Sequence, residues 1–152
     1  MKNKKIRKQV IGRIEKLDFP KLDLFDIGAK IDTGAFTSSI HCTNIKKIKK
    51  EGKSYIRFNL LDSGHPLYNN RLYTVPLYSE KEIKNSFGQV EKRFVIKTAV
   101  RLFGKTFTIE LSLTDRSTMG YPVLLGRKVL HNRFIVDVSK KNLSYKQKVS
   151  NN

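Results

Sequence analysis

The chain has a single cysteine, Cys42, and therefore cannot form a disulfide within itself. The absence of internal disulfides is typical of a reducing compartment. Long apolar runs are absent too, because no stretch approaches the roughly 20 residues that a membrane-spanning helix needs. The basic N-terminus has no continuous apolar core of the signal-peptide kind, since Gly12, Arg13 and Glu15 interrupt it. We therefore expect a soluble, cytoplasmic protein with no membrane partner.

Acidic residues are scarce: 13 aspartates and glutamates stand against 31 lysines and arginines, which leaves a formal net charge of +18. Such a charge attracts polyanions, including nucleic acid and acidic protein tails. The basic residues are spread along the chain and enriched at both ends rather than gathered on one recognition helix. Two interpretations stay open, a solvated lysine-rich surface and a surface that binds a polyanionic partner.

The length of 152 residues suits one compact domain, and the 39% hydrophobic share is enough for a core without disulfides. The ends are polar and basic, as is typical of frayed termini. We predict a basic N-terminal tail at residues 1–9, a single domain at 10–139 and a basic C-terminal tail at 140–152.

Between the ends, apolar residues alternate with polar ones at a period of two, in runs at 55–60, 73–77, 94–102 and 107–113. Glycine-containing gaps at 52–53, 62–64 and 103–105 have the composition of tight turns. Short alternating strands joined by such turns predict an all-β barrel or sandwich. One short helix is predicted from Arg127 to Leu130, followed by a closing strand at 134–138.

The stretch from Ala29 to Ile40 carries the strongest chemical signal, because it contains Asp32-Thr33-Gly34-Ala35 between two predicted strands. Gly34 has no Cβ and lets the backbone approach the Asp32 carboxylate. The Thr33 hydroxyl is expected to brace the loop. A carboxylate held by backbone N–H groups suits a general base.

Water activation by aspartate needs two carboxylates that share a proton, because two like charges about 3 Å apart cannot both ionise. Asp62-Ser63-Gly64 is a candidate for the second one. Only about thirty residues separate the triplets, which is too few for a second lobe of strands. We therefore interpret Asp62 as a turn residue and predict a two-fold homodimer that brings together Asp32 of each chain.

A second motif near the C-terminus supports the interpretation of Asp32-Thr33-Gly34 as a catalytic loop. The segment 121–130 contains an apolar strand that ends in Leu124-Leu125-Gly126, followed by Arg127 and the short helix. A glycine at this place allows close packing of chains. The segment resembles the strand that lies behind the catalytic loop in pepsin-type lobes, and by that resemblance Leu125 and Gly126 are expected to form a structural strand behind the Asp32 loop.

Together the two motifs resemble the retropepsin-like aspartic endopeptidase family, over roughly residues 10–138. Members were formerly labelled ATP-dependent zinc proteases and are associated with glutamate-adding ATP-grasp ligases. The resemblance implies a single closed retropepsin-like barrel with one short C-terminal helix and a catalytic role for Asp32. Thr33 and Gly34 are carried over as loop-forming residues, whereas Phe36 departs from the more polar residue common in the family.

The older zinc label finds no support in the spacing of ligand residues. His41, His65 and His131 are far apart, and no His-Glu-x-x-His occurs. His41 and Cys42 are neighbours on a predicted strand, so their side chains point to opposite faces. We interpret His41 as a strand residue and Cys42 as a small buried hydrophobe, and we predict no metal and no cofactor.

Three functions remain open at this stage. The first is an aspartic endopeptidase acting on a protein or peptide, for which the charge and the ligase association indicate an acidic tail. The second is a non-catalytic module of peptidase fold that binds a ligase partner, an acidic protein or RNA. The third is a nucleic-acid-binding barrel in which exposed tyrosines stack on bases. The candidate tyrosines are Tyr55, Tyr68, Tyr73 and Tyr78.

Overall fold

The computed structural model describes residues 7–84, 87–115 and 120–151. Strands dominate these ranges, and two α-helices and one 3₁₀ turn complete them. The strands are β1 (Gln9–Phe19), β2 (Leu24–Ile31), β3 (Ser38–Lys50), β4 (Lys53–Leu60), β5 (Leu72–Pro76), β6 (Ser79–Lys84), β7 (Val90–Leu102), β8 (Lys105–Thr114), β9 (Val123–Leu125) and β10 (Phe134–Lys141). The helices are α1 (Arg127–Leu130) and α2 (Leu143–Ser150), and the 3₁₀ turn is Pro20–Leu22.

Six strands close into a barrel in the order β1-β2-β9-β3-β8-β7, and the ring is completed where Asp18 of β1 pairs with Arg101 of β7. β10 adds to the outer side of β1, and β6 adds to β7. β4 and β5 extend from β3 as a separate antiparallel layer. The predicted all-β, single closed barrel is confirmed, including the short helix Arg127–Leu130.

Alternation of side chains along the strands builds the core. On β8, Ile109, Leu111 and Leu113 are at most 5% exposed and point into the barrel, whereas Thr108 faces outward. Burial of each such large apolar side chain contributes about 1.5–3 kcal/mol. The side chains buried most completely are Phe19, Phe58, Ile11, Leu17, Leu22, Ile27, Ile40, Ile56, Leu61, Ile96, Leu102 and Leu111.

Two hairpins have the two-residue turns that the glycine positions predict. Phe103 and Gly104 join β7 to β8 with φ values of 52° and 72°. Glu51 and Gly52 join β3 to β4 with φ values of 52° and 77°. Positive φ at both central residues gives the backbone twist that matches the flanking strands.

Helix α2 lies in the segment that the sequence analysis assigned to a basic tail, and it was not predicted. Its start is fixed by Glu15 of β1, whose side chain is 0% exposed. The Glu15 carboxylate accepts hydrogen bonds from the Gly12 N–H at 2.7 Å and from the Ser144 N–H at 3.0 Å. Lys148 near the other end contacts Asp26 at 2.8 Å. The domain boundary at residue 139 stays a prediction.

Among the described residues, no helix is both long and apolar enough to cross a membrane.

Candidate active site

Asp32 stands at the end of β2, where strand β9 holds the backbone in place. β9 pairs in parallel with β2, through Ala29–Val123 to Ile31–Leu125, and antiparallel with β3. The hydrogen bonding continues one residue past the strand, because the Asp32 N–H donates to the Leu125 carbonyl at 2.9 Å. The aspartate therefore leaves the barrel at a position that the C-terminal part of the chain determines.

The tip of the loop is a tight turn that holds one oxygen of the Asp32 carboxylate. The Gly34 N–H donates to Asp32 Oδ1 at 2.9 Å, and the Ala35 N–H donates to the Asp32 carbonyl at 3.3 Å. A Cβ at Gly34 would lie 3.2 Å from Oδ1, which explains the glycine. Asp32 Oδ2 makes no hydrogen bond with any described residue. Asp32 is half-buried, and the two residues that follow it, Thr33 and Gly34, are exposed.

Helix α1 and the residue before it close the loop from below. The Arg127 and Lys128 N–H groups donate to the carbonyls of Ala35 and Phe36, at 2.8 and 3.0 Å. The Gly126 N–H donates to the Ser38 hydroxyl at 3.0 Å. A Cβ at Gly126 would lie 2.6 Å from the Thr37 carbonyl oxygen, so any other residue would force the two chain segments apart.

Arg127 is a supporting residue to which the sequence analysis gave no role. Its Nη1 donates to the Thr33 carbonyl at 3.0 Å, and its guanidinium lies 5.8 Å from the centre of the Phe36 ring. Phe36 itself is 56% exposed beside the loop. The Thr33 hydroxyl, which the sequence analysis expected to brace the loop, has no hydrogen-bond partner in the described ranges. The Thr33 carbonyl and Arg127 provide the bracing within the chain.

Asp62 lies in a separate turn after β4 and is bound by a histidine. Its Oδ1 accepts the Gly64 N–H at 2.8 Å, and its Oδ2 lies 2.7 Å from His41 Nε2. The Gly64 N–H, followed by the His41 hydrogen bond, lowers the pKa of the Asp62 carboxyl below its ordinary value. The other His41 nitrogen lies 3.3 Å from the Thr114 carbonyl. The interpretation of Asp62-Ser63-Gly64 as a turn agrees with this geometry, and the pairing with His41 is an addition to it.

The remaining titratable candidates are separated from the Asp32 loop. Cys42 is fully buried in the core, and burial, together with the charge of Asp115, raises the pKa of its thiol well above the ordinary value. No group of three or more His, Cys, Asp or Glu side chains in the described part of the chain could hold a metal ion.

The tyrosines do not form one stacking surface. Tyr73 is only 6% exposed, packs on Phe58 with ring centres 5.7 Å apart, and donates its hydroxyl to the Leu22 carbonyl at 2.7 Å. Tyr78 is 50% exposed, but the Lys97 ammonium lies 4.1 Å from its ring centre. Tyr73 therefore serves the core and is not available to a nucleic-acid base.

The closed barrel, with an Asp-Thr-Gly loop held between two strands and backed by a glycine and a short helix, defines the retropepsin-like class. The model of the RimB-like family, described as "Retropepsin-like aspartic endopeptidase RimB", matches residues 10–147. The chain belongs to this family.

Curated relatives and a solved structure agree with this placement. A "Probable alpha-L-glutamate ligase" of Shewanella halifaxensis is 41% identical over 137 residues, which cover 88% of this chain and 29% of that protein. Proteins of the same name from Desulfotalea psychrophila and Parasynechococcus marenigrum are 40% and 36% identical, over 87% and 86% of this chain and 28% of each relative. The chain thus spans less than a third of the curated relatives' length. A crystal structure of a Legionella pneumophila protein of unknown function matches with a TM-score of 0.74 at 28% identity, covering 91% of this chain and 99% of that one.

Proposed function

We propose that this protein is an aspartic-type endopeptidase in which two copies of the chain pair their Asp32 carboxylates around one water molecule. The observation that carries the proposal is the state of the Asp32 carboxylate. One oxygen is held by the Gly34 N–H at 2.9 Å, and the other has no hydrogen-bond partner among the described residues. The turn fixes the carboxylate and leaves an oxygen free for a water and a second carboxylate.

The chemistry requires the two carboxylates to differ in protonation. Two aspartates about 3 Å apart share one proton, because a second negative charge at that distance is strongly unfavourable. The ionised carboxylate accepts a proton from the water, and the water oxygen attacks the peptide carbonyl carbon. The protonated carboxylate donates a hydrogen bond to the carbonyl oxygen. A tetrahedral intermediate forms, and transfer of a proton to the amide nitrogen lets the carbon–nitrogen bond break.

The second carboxylate comes from another copy in this proposal, because the described residues offer no other suitable group near the loop. Asp62 is engaged by His41 at 2.7 Å and by the Gly64 N–H, and it follows a different strand. The exposed tip at Thr33 and Gly34 leaves room for the same tip of a second chain across a two-fold axis. Thr33, whose hydroxyl has no described partner, would lie at this contact.

Acidic protein tails are the substrate class that the charge supports. The chain carries a net charge of +18, and its relatives include proteins named as probable glutamate ligases. A region similar to this chain lies within those relatives, which supports a functional association with a ligase of that kind. Electrostatic attraction would raise the association rate of a glutamate-rich tail and make it sensitive to salt.

The test is cleavage of a glutamate-rich peptide and of its glutamine counterpart by the wild-type chain and by Asp32→Asn, with products identified by mass spectrometry. Cleavage by the wild type that disappears in Asp32→Asn supports the proposal. Undiminished cleavage by Asp32→Asn contradicts the catalytic role. Equal, salt-independent rates on both peptides contradict the acidic preference alone.

A binding module without catalysis is the second candidate, and the relatives' names favour it because they name a ligase rather than a peptidase. This candidate predicts that Asp32→Asn binds a glutamate ligase or its acidic product as tightly as the wild type does, and that neither protein cleaves it. Analytical ultracentrifugation of the wild-type chain without a partner is an independent test. A chain that is entirely monomeric at the concentration of the cleavage assay would contradict the paired-carboxylate site.

A further inference from the structure

A cavity of about 350 Å³ lies between the β6–β7 hairpin, helix α1 and the chain that leaves the Asp32 loop. Thr37 and Ser38, which follow the loop, form one side of it, and Lys81 of β6 forms another. Thr37 is five residues from Asp32, so the two are at most about 18 Å apart along the chain. The cavity is therefore within reach of a side chain a few residues from the cleaved bond of an extended peptide bound at Asp32.

The cavity is lined by four cations and one carboxylate. The cations are Lys81, Lys97, Lys128 and Arg133, and the carboxylate is Glu110. Glu110 forms an ion pair with Lys128, so these two charges balance. The other three cations form no ion pair with any residue in the described ranges. The cavity therefore keeps a net positive charge that the protein does not neutralise.

Two of these cations are held in place by contacts that leave their charge uncompensated. Lys97 lies over the ring of Tyr78, with its ammonium 4.1 Å from the ring centre. The guanidinium of Arg133 lies 4.4 Å from the centre of the Phe107 ring and donates to the Val129 carbonyl at 3.3 Å. Cation–π contacts fix a side chain without supplying a counter-charge. Such cations are preorganised for an anion that arrives from outside.

Ser112 supplies the second, independent sign of a ligand. It lines the cavity and is only 5% exposed, yet its Oγ has no hydrogen-bond partner among the residues that the structure describes. Buried hydroxyls are nearly always paired, so one without a partner in a cavity indicates a ligand or a bound water. A hydroxyl that lines a cavity together with cations suits one oxygen of a carboxylate.

We propose that this cavity is a subsite for the carboxylate of an acidic substrate side chain that flanks the cleaved bond, with Lys81, Lys97 and Arg133 supplying charge and Ser112 a hydrogen bond. This inference rests on the proposed peptidase function and assigns the residues that select the substrate. The small volume of about 350 Å³ and the Glu110 carboxylate on its wall favour a single carboxylate over an extended polyanion such as nucleic acid.

The first experiment measures binding without cleavage, so that it does not depend on turnover. In the Asp32→Asn background, fluorescence anisotropy compares a labelled glutamate peptide with peptides in which one glutamate at a time is replaced by glutamine. We expect one position to account for a loss of about tenfold, since charge-assisted hydrogen bonds are the strong ones. Lys97→Gln should abolish that difference and weaken the singly substituted peptide by less than about twofold, through the overall field alone.

The matched control is Lys53→Gln, which removes the same charge from an exposed position on the β3–β4 hairpin. It should weaken all peptides by less than about twofold, because Lys53 does not line the cavity and acts only through the screened overall field. Equal effects of Lys97→Gln and Lys53→Gln would overturn the subsite. If Asp32→Asn shows the position-specific binding but the wild type cleaves none of the peptides, the subsite is supported and the proposed peptidase function is contradicted.

Ser112→Ala separates a ligand-binding hydroxyl from a structural one. Removing a hydroxyl that has no protein partner should leave the unfolding temperature unchanged or raise it. The same variant should weaken the glutamate peptide about threefold to tenfold and raise KM with little change in kcat in the active chain. A lowered unfolding temperature with unchanged peptide binding would contradict the assignment of Ser112.

Discussion

In both Asp-x-Gly turns of this protein the aspartate Oδ1 accepts the glycine N–H, at 2.9 Å from Gly34 and 2.8 Å from Gly64. The second oxygen differs. Asp62 Oδ2 is bound to His41 at 2.7 Å, whereas Asp32 Oδ2 has no hydrogen-bond partner in the described ranges. The same local turn thus presents either a satisfied carboxylate or an available one.

The two turns also differ in what supports them. The Asp32 turn is backed by β9 and α1, which contribute backbone hydrogen bonds from Leu125, Arg127 and Lys128. The Asp62 turn is held by its own backbone, by the His41 side chain and, at Leu61, by hydrogen bonds to the His41 carbonyl and from the Thr43 hydroxyl. A triplet of residues therefore does not define a reactive site. The clearest difference is the second carboxylate oxygen, which in Asp32 has no hydrogen-bond partner in the described ranges.

The largest expected difference between the two turns comes from neutralising each aspartate separately. Asp32→Asn should lower peptide cleavage by about a hundredfold to ten-thousandfold, the range expected for loss of a general base. Asp62→Asn should change cleavage by less than about threefold, because its carboxylate serves the fold. Steady-state kinetics on a glutamate-rich peptide measure both, and equal losses would remove the distinction between the turns.

The backing of the Asp32 turn can be tested with Gly126→Ala. The new Cβ would lie 2.6 Å from the Thr37 carbonyl oxygen, so α1 and the loop must separate. We expect a loss of about 1–3 kcal/mol in the free energy of unfolding, as is common for overpacking. Cleavage should fall about a hundredfold, because a small displacement of a reacting group is costly. Gly120→Ala is the matched control, since its Cβ would meet nothing within 4 Å.

The support of the Asp62 turn can be tested with His41→Asn. His41 is 5% exposed and bridges Asp62 and the Thr114 carbonyl, so its loss removes one partner of the part-exposed Asp62 carboxylate and one of the buried Thr114 carbonyl. The free energy of unfolding should fall by about 1–3 kcal/mol in urea titrations. His131→Gln, at an exposed position, should leave it unchanged. Cleavage per folded molecule should stay near that of the wild type, and a large loss would link the two turns.

The smallest expected effect is on acid stability. The Gly64 N–H and His41 lower the pKa of Asp62 in the folded protein, so the ionised carboxylate stabilises the fold. That contribution is complete above the unfolded-state pKa of about 3.9 and is lost as the pH falls through the lower, folded-state pKa. Unfolding measured from pH 6 downward should therefore show a shallower decline in Asp62→Asn than in the wild type. Parallel curves would mean that Asp62 contributes nothing.

The fold was largely accessible from the sequence because period-two alternation marks strands that are buried on one face. Runs such as 107–113 on β8 and the two glycine turns followed this rule. β6 did not, because its residues Ser79–Lys84 are mostly charged and become a strand only by pairing with β7. Helix α2 was missed for a similar reason: Glu15, whose contact with Ser144 spans 129 positions, fixes its start.

For the candidate site, the sequence predicted the loop and the glycine behind it but not the side chains that support them. Asp32, Gly34 and Gly126 could be found because backbone approach demands particular residue types. Arg127 contacts the Thr33 carbonyl across 94 positions, and His41 meets Asp62 across 21. Neither residue type identifies its own partner, and only the folded chain shows which partner each has.

The hydrogen bond from the Asp32 N–H to the Leu125 carbonyl also has a consequence for synthesis of the protein. A nascent chain presents Asp32 long before it contains the residues that hold it. Until residues 123–127 have left the ribosome and joined β2 and β3, the aspartate belongs to an unsupported turn. The supported geometry of the loop therefore arises late, when nearly the whole barrel has been made, and an incomplete chain would carry the triplet without its backing.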